Sequence, residues 1–263
     1  MPGDQQSRKR RLESAVDYIH ERWGPDALRR GRADGAAVPH ISTGFPALDA
    51  ALGTGGLPRG RLSVLSGAPT SGKRTLAALV MAQAQRGNRR LAAWIDLAQT
   101  CDADYLARCG VNLSRLLVGR PGDGREALDM LATLGERSEL AVVVFDGWGA
   151  LATDAPTRQY AAATLDGLAP RLAHSRAALL VLDEPPALLQ GLVAAIMGDP
   201  ADQALGQQCA VRLALSRERW ISLGPDVRGY QVQAKVQKNK LGPAGGAVRL
   251  EIRFNGTVRG EGL

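Results

Sequence analysis

The chain has 263 residues, 45% of them hydrophobic and 22% charged, with a formal net charge of +7. At roughly 150 residues per domain this is one large domain or two small ones with a buried core, which excludes a miniprotein and wholesale disorder. No apolar run approaches the roughly 18 residues of a membrane helix, and the basic stretch Arg8–Arg11 leads to Glu13 and Asp17 instead of a signal-peptide apolar core, so a cytoplasmic protein without membrane contact is expected.

Leu12, Ala15, Val16, Ile19 and Trp23 fall on one helical stripe, and Gly24-Pro25 supplies a stop signal, which predicts a first helix from about Ser7 to Trp23. Asp26 to Pro39 is rich in Gly, Ala and Arg without a period and reads as a linker. The expected layout is a helical arm and linker over residues 1–39 and a main body over 40–263. From Leu62 onward, short β-branched runs (Leu62 to Ser66, Leu91 to Asp96, Ala141 to Asp146, Ala178 to Asp183) alternate with helical stretches such as Arg74 to Gln85 and Arg125 to Leu134. That alternation predicts an α/β fold, a mostly parallel sheet flanked by helices. Tyr230 to Val236 and Ala247 to Phe254, separated by a Gly/Pro-rich turn, predict a C-terminal antiparallel hairpin at the sheet edge. Cys101, Cys109 and Cys209 are too few and too scattered for a disulfide framework or a zinc site and read as structural.

Gly67-Ala68-Pro69-Thr70-Ser71-Gly72-Lys73 lies between a predicted strand and a predicted helix, the setting that a G-x-x-x-x-G-K phosphate loop requires. Its glycines let several N–H groups and a helix N-terminus converge on one anion, and Lys73 adds a cation at the outer phosphates. Where such loops carry a Ser or Thr hydroxyl for Mg²⁺, this chain has Arg74, and Thr75 comes one residue late. Magnesium coordination through Thr75 is therefore doubtful, and Arg74 either replaces the ion's charge or excludes the ion. Asp146 ends the apolar run Val142 to Phe145, the usual place for a carboxylate that orients Mg²⁺ or its water, although many buried strands end in Asp as a turn former. Residues 212–263 carry ten Lys/Arg against four acids, so the positive field is C-terminal and suited to nucleic acid. Few aromatic residues are available to stack on bases.

The stretch Ile41 to Arg61, running into the phosphate loop, resembles the opening of the ATPase core of bacterial RecA recombinases. The likeness continues through Trp94-Ile95-Asp96, Gly110-Val111, Val144-Phe145-Asp146 and Val236 to Lys240. It implies a RecA-like P-loop NTPase core, ATP as cofactor, DNA as partner, and work in DNA repair or recombination. It further implies that Gly67 to Thr75 cradle the phosphates and that Asp102 and Tyr105 hold the adenine ring. By the same resemblance Lys238 and Lys240 reach a neighbouring subunit's nucleotide, as in a homo-oligomer or filament, and the N-terminal helix docks on that neighbour. Read without the resemblance, the lysines are a solvated face and the tyrosine a core residue.

The departures from the family are specific. Its water-activating glutamate corresponds to Ala98, which has no proton acceptor, so the usual base is absent. Glu184 stands where the family carries a glutamine that senses the terminal phosphate. It is either a substitute base, with Lys73 and Asp146 as the other catalytic candidates, or a carboxylate that repels a triphosphate. The family's DNA-binding loops are shortened or not visible, and its separate C-terminal domain is not expected. Leu188, Leu189, Leu192, Val193, Ile196 and Met197 form instead an apolar stripe that is either core or a docking face for a partner protein. The leading expectation is an ATP-binding, DNA-binding accessory of the damage response or translesion synthesis, similar to ImuA-type proteins, with a repair polymerase or other repair protein as partner and weak or absent hydrolysis. The alternatives are an active DNA-dependent strand-exchange ATPase and a nucleotide-free scaffold.

Overall fold

The computed structural model describes residues 2–24, 38–86, 90–151, 154–184, 198–254 and 258–262. The chain divides into two units, residues 1–37 and 38–263. In the first, α1 spans Pro2–Trp23. It begins earlier than the apolar stripe predicts, because proline is tolerated in a first turn and the glutamines, arginines and lysine that follow are good helix formers. The Asp26–Pro39 linker lies mostly outside the described residues.

The second unit opens with β1 (His40–Ile41), α2 (Pro46–Leu52) and β2 (Leu57–Pro58), β1 and β2 pairing antiparallel. The elements that follow are β3 (Leu62–Ser66), α3 (Lys73–Gln85), β4 (Leu91–Asp96), α4 (Ala103–Arg108), β5 (Leu116–Gly119), α5 (Gly124–Gly135), β6 (Leu140–Asp146), α6 (Ala155–Ser175) and β7 (Ala178–Asp183). The chain ends with α7 (Pro200–Gln208), β8 (Cys209–Leu223), β9 (Asp226–Asn239), β10 (Ala247–Phe254) and β11 (Val258–Gly262).

Among the described residues, nine strands form one sheet in the order β11-β10-β9-β8-β3-β7-β6-β4-β5. The run from β8 to β5 is parallel, and β9, β10 and β11 add antiparallel. Every residue of β6 is buried, as a strand covered on both faces requires. Its side chains alternate: Val142 and Val144 pack with α2, α3 and α4 on one face, and Val143 and Phe145 with α5, α6 and α7 on the other. This topology gathers the carboxyl ends of β3, β7, β6 and β4, the place where open α/β sheets bind ligands.

The predicted hairpin strands do pair, Tyr230 opposite Ile252 and Ala234 opposite Val248. They are not the edge, however: β9 also pairs along its length with β8, and β11 forms the outer strand. Beyond Ala214, β8 leaves β3 and becomes an edge strand, paired only with β9, whose other side pairs with β10. The charged run Arg217-Glu218-Arg219 interrupts the alternation that would have announced this long strand. Among the described residues no helix is long and apolar enough to cross a membrane. The Leu188 to Met197 stripe lies outside the described residues.

Candidate nucleotide site

The turn after β3 is built for close approach. Gly67 N–H donates to the Asp183 carbonyl (3.1 Å), and Ser71 N–H donates to the Ala68 carbonyl (3.0 Å), with Ala68, Pro69 and Thr70 on the exposed crest. A Cβ on Gly67 would stand 2.4 Å from the Leu215 carbonyl oxygen and 2.5 Å from Ser71 Oγ, so only glycine fits. Gly72 precedes α3 with φ +89°, a left-handed conformation natural to glycine. It caps α3 without a side-chain hydrogen bond, and the first-turn N–H groups have no intrahelical partner, so the helix presents its positive end to the loop. Ser71 Oγ is buried and has no hydrogen-bond partner among the described residues.

Lys73 is 1% exposed. Its Nζ donates to the carbonyls of Gly67 (2.9 Å) and Ala68 (3.1 Å) and to Glu184 Oε1 (2.8 Å). Beside it, Arg74 Nε donates to Asp146 Oδ2 (2.8 Å), and an outer guanidinium nitrogen lies 3.4 Å from the same Glu184 oxygen. Burial by itself would lower the Arg74 pKa, but the hydrogen bond and charge of Asp146, with Glu184 and Asp96 behind, raise it above the usual arginine value. Asp146 is fully buried at the end of β6. Its Oδ2 also accepts from Thr100 Oγ1 (2.9 Å), while Oδ1 has no partner among the described residues.

Asp96, in register with Asp146 on β4, completes the floor. Its oxygens accept from the N–H groups of Thr100 (2.8 Å) and Cys101 (3.1 Å), and Arg120 lies 3.6 Å away. Asp96 and Thr100 carry none of the site roles expected from sequence. Asp96 closes an apolar strand just as Asp146 does, and that signal would have found it; nothing local marks Thr100. The neighbouring Cys101 thiol is pushed up to about 11 by burial and by Asp96, so it stays protonated at neutral pH.

The other expected residues lie as follows. Thr75 Oγ1 meets the hydroxyls of Tyr105 (2.7 Å) and Tyr230 (2.8 Å), away from Asp146. Burial raises the pKa of both phenols, so each remains a neutral hydroxyl. Asp102 caps α4 through the Tyr105 N–H (3.1 Å), which places it beside Tyr105. Lys238 and Lys240 donate to the carbonyls of Gly206 and Gln207 at the C-terminal end of α7, a favourable place for cations. Ala98 offers the site only backbone, its N–H donating to the Asp146 carbonyl (3.2 Å). On the flank of the loop, Gly67, Thr70, Ser71, Asp183, Arg212 and Arg217 help to line a cavity of about 630 Å³.

The loop fits a phosphate chain: it has the glycine cradle, a helix start without a side-chain cap, a serine hydroxyl unpartnered among the described residues, and a lysine. The surroundings of Asp146 do not fit Mg²⁺. A small divalent ion needs several oxygens around it, whereas a guanidinium nitrogen already occupies the approach to Asp146 and the Thr75 hydroxyl is engaged elsewhere.

Comparison with known proteins agrees with this architecture. The sequence profile of the RecA N-terminal domain matches residues 10–180. The RecA protein of Herpetosiphon aurantiacus is 32% identical over 271 residues, covering 97% of this chain and 74% of that protein. That of Chlorobaculum tepidum is 31% identical over 276 residues, covering 98% and 77%. Among solved structures, the RadB recombinase superposes with a TM-score of 0.63 at 21% identity, covering 85% of this chain and 99% of that one. The chain belongs to the RecA family of DNA repair and recombination ATPases.

Proposed function

We propose that this protein binds ATP at the Gly67–Lys73 loop and binds DNA through its C-terminal sheet, and that it serves DNA repair as an accessory whose own ATP hydrolysis is weak or absent. The observation that carries the reading is the Arg74 guanidinium held 2.8 Å from Asp146 and 3.4 Å from Glu184. Gly67 to Gly72 and Lys73 would hold the phosphates, with Asp102 and Tyr105 near the base; ATP, once bound, supplies the triphosphate. Arg74 contributes the fixed positive charge that a divalent ion would otherwise bring to Asp146. Ala98 leaves an attacking water without a base. Glu184 is a poor replacement, since its Oε1 accepts from two cations at once.

DNA binding rests on charge and kinship. Residues 212–263 hold a surplus of +6 from ten cations and four acids. Several of those arginines pair with acids nearby, Arg228 with Asp226 and Arg249 with Glu218, which fixes their positions without altering the net field. Lys238 and Lys240 have partners at the end of α7, and a role for them across a subunit interface would require that they leave it.

The test is nucleotide calorimetry together with a hydrolysis assay on purified protein, with and without DNA. ATP binding that is lost in Lys73→Ala, with turnover well below that of an ordinary recombinase, supports the reading. Rapid DNA-stimulated turnover would establish the strand-exchange alternative, and absent nucleotide binding the scaffold. DNA affinity should fall steeply with salt.

A further inference from the structure

The ammonium of Lys73 has three protons to donate, and three acceptors take them: Gly67 O, Ala68 O and Glu184 Oε1. The two carbonyls belong to the loop itself. Glu184 is the movable partner, its side chain 39% exposed where that of Lys73 is 1% exposed. The same oxygen lies 3.4 Å from Arg74, so one carboxylate oxygen sits between two cations at the mouth of the loop.

In loops of this kind the glycine-loop amides take the inner phosphates and the lysine reaches the outer ones. We infer that Glu184 is a built-in stand-in for a terminal phosphate, and that the site therefore holds a nucleoside diphosphate more tightly than a triphosphate. The inference rests on nucleotide binding at the loop and specifies which nucleotide that loop prefers. With two phosphates, the loop amides are satisfied and Glu184 still completes the third bond of Lys73. A third phosphate brings further negative charge toward the place that the carboxylate holds. It must either displace Glu184, breaking charge-assisted contacts to Lys73 and Arg74, or bind against a like charge. A charge-assisted contact of this kind corresponds to roughly ten- to a hundredfold in affinity.

The experiment is calorimetric titration of the full chain with ADP and with ATP, without added divalent ion, repeated with pyrophosphate and tripolyphosphate to remove the base and sugar. The parent should prefer ADP by about tenfold or more, and Glu184→Gln should close that gap mainly by tightening ATP. Glu184→Ala provides the same comparison if the glutamine variant folds poorly, and the parent's own ratio stands without either. Equal or tighter binding of ATP by the parent overturns the inference. So does an ADP preference that survives unchanged in both variants, because another group would then be its source. If neither nucleotide binds, the inference falls together with the reading beneath it; if both bind and the ratio is flat, only the inference falls.

Discussion

The cradle and the corner beside it, adjoining one another in the same sheet end, have fared differently. The cradle is made of backbone: Gly67 against Leu215, Gly72 at positive φ, and the start of α3. The corner is made of side chains: Arg74, Asp146, Glu184 and the methyl of Ala98. Backbone amides keep their direction whatever side chains surround them, so the shape of the cradle does not depend on which residues make the corner. On the function proposed above, splitting water depends on side-chain oxygens at two positions that here carry a guanidinium and a methyl. That reading makes binding and hydrolysis separable properties of neighbouring residues.

The strongest way to break this contrast is to restore the corner alone. Arg74→Thr with Ala98→Glu returns a hydroxyl next to the lysine and a carboxylate beside Asp146. A general base alone contributes on the order of a hundredfold or more, so hydrolysis in the presence of Mg²⁺ should rise by at least that factor. An unchanged rate in a folded, nucleotide-binding double variant would show that the deficit extends beyond the corner.

Damaging the cradle should act on stability and binding together. Gly67→Ala places a methyl 2.4 Å from the Leu215 carbonyl and 2.5 Å from Ser71 Oγ, so β8 or the loop must shift. Overpacking of this kind costs about 1–3 kcal/mol, read by urea unfolding, and the displaced loop should also lose nucleotide affinity. A variant as stable as the parent would mean that the loop relaxes more freely than the contact implies.

The two regions also differed in how far sequence alone revealed them. The cradle was legible because its spacing and its strand-loop-helix setting are local, and β3 and β7 were predicted at their observed bounds, Leu62–Ser66 and Ala178–Asp183. The corner was legible by identity only. Arg74, Asp146 and Glu184 could each be singled out, yet their ion pairs bring together residues 72 and 110 positions apart, which no periodicity reports. The sequence offers Thr75 as a metal ligand because it follows Arg74, but the partners that turn it away include Tyr230, 155 residues on. The long β8 has no clear signal in the sequence because the part carrying Arg217, Glu218 and Arg219 lies past the end of β3 as a largely exposed edge paired with β9, and needs no alternation to bury it.

That threonine gives a smaller test of the boundary between cradle and core. Thr75→Val removes the hydroxyl that joins Tyr105 and Tyr230, 2.7 and 2.8 Å away, while keeping the side-chain volume. The expected loss is about 1–2 kcal/mol of stability by urea unfolding, with ATP hydrolysis no lower than in the parent. A selective loss of hydrolysis at unchanged stability would give Thr75 the metal-binding role that its present contacts deny it.

The smallest effect concerns pH. Asp183 ends β7 beneath the loop, and burial raises its pKa above the ordinary carboxylate value despite Arg212, whose guanidinium lies 4.0 Å away. The unfolded chain therefore releases this proton at lower pH than the folded one. Between the two values the folded state binds more protons, so this residue's contribution to stability declines as pH rises from the ordinary carboxylate range through the raised folded value, and is level above it. Asp183→Asn removes that decline. Its advantage over the parent should be absent in strong acid, grow across the window and persist at neutral pH, as measured by urea unfolding at a series of pH values. A neutral-pH loss of stability in the asparagine variant would mean that attraction to Arg212 outweighs burial, and the residue would then belong with the ion pairs of the corner.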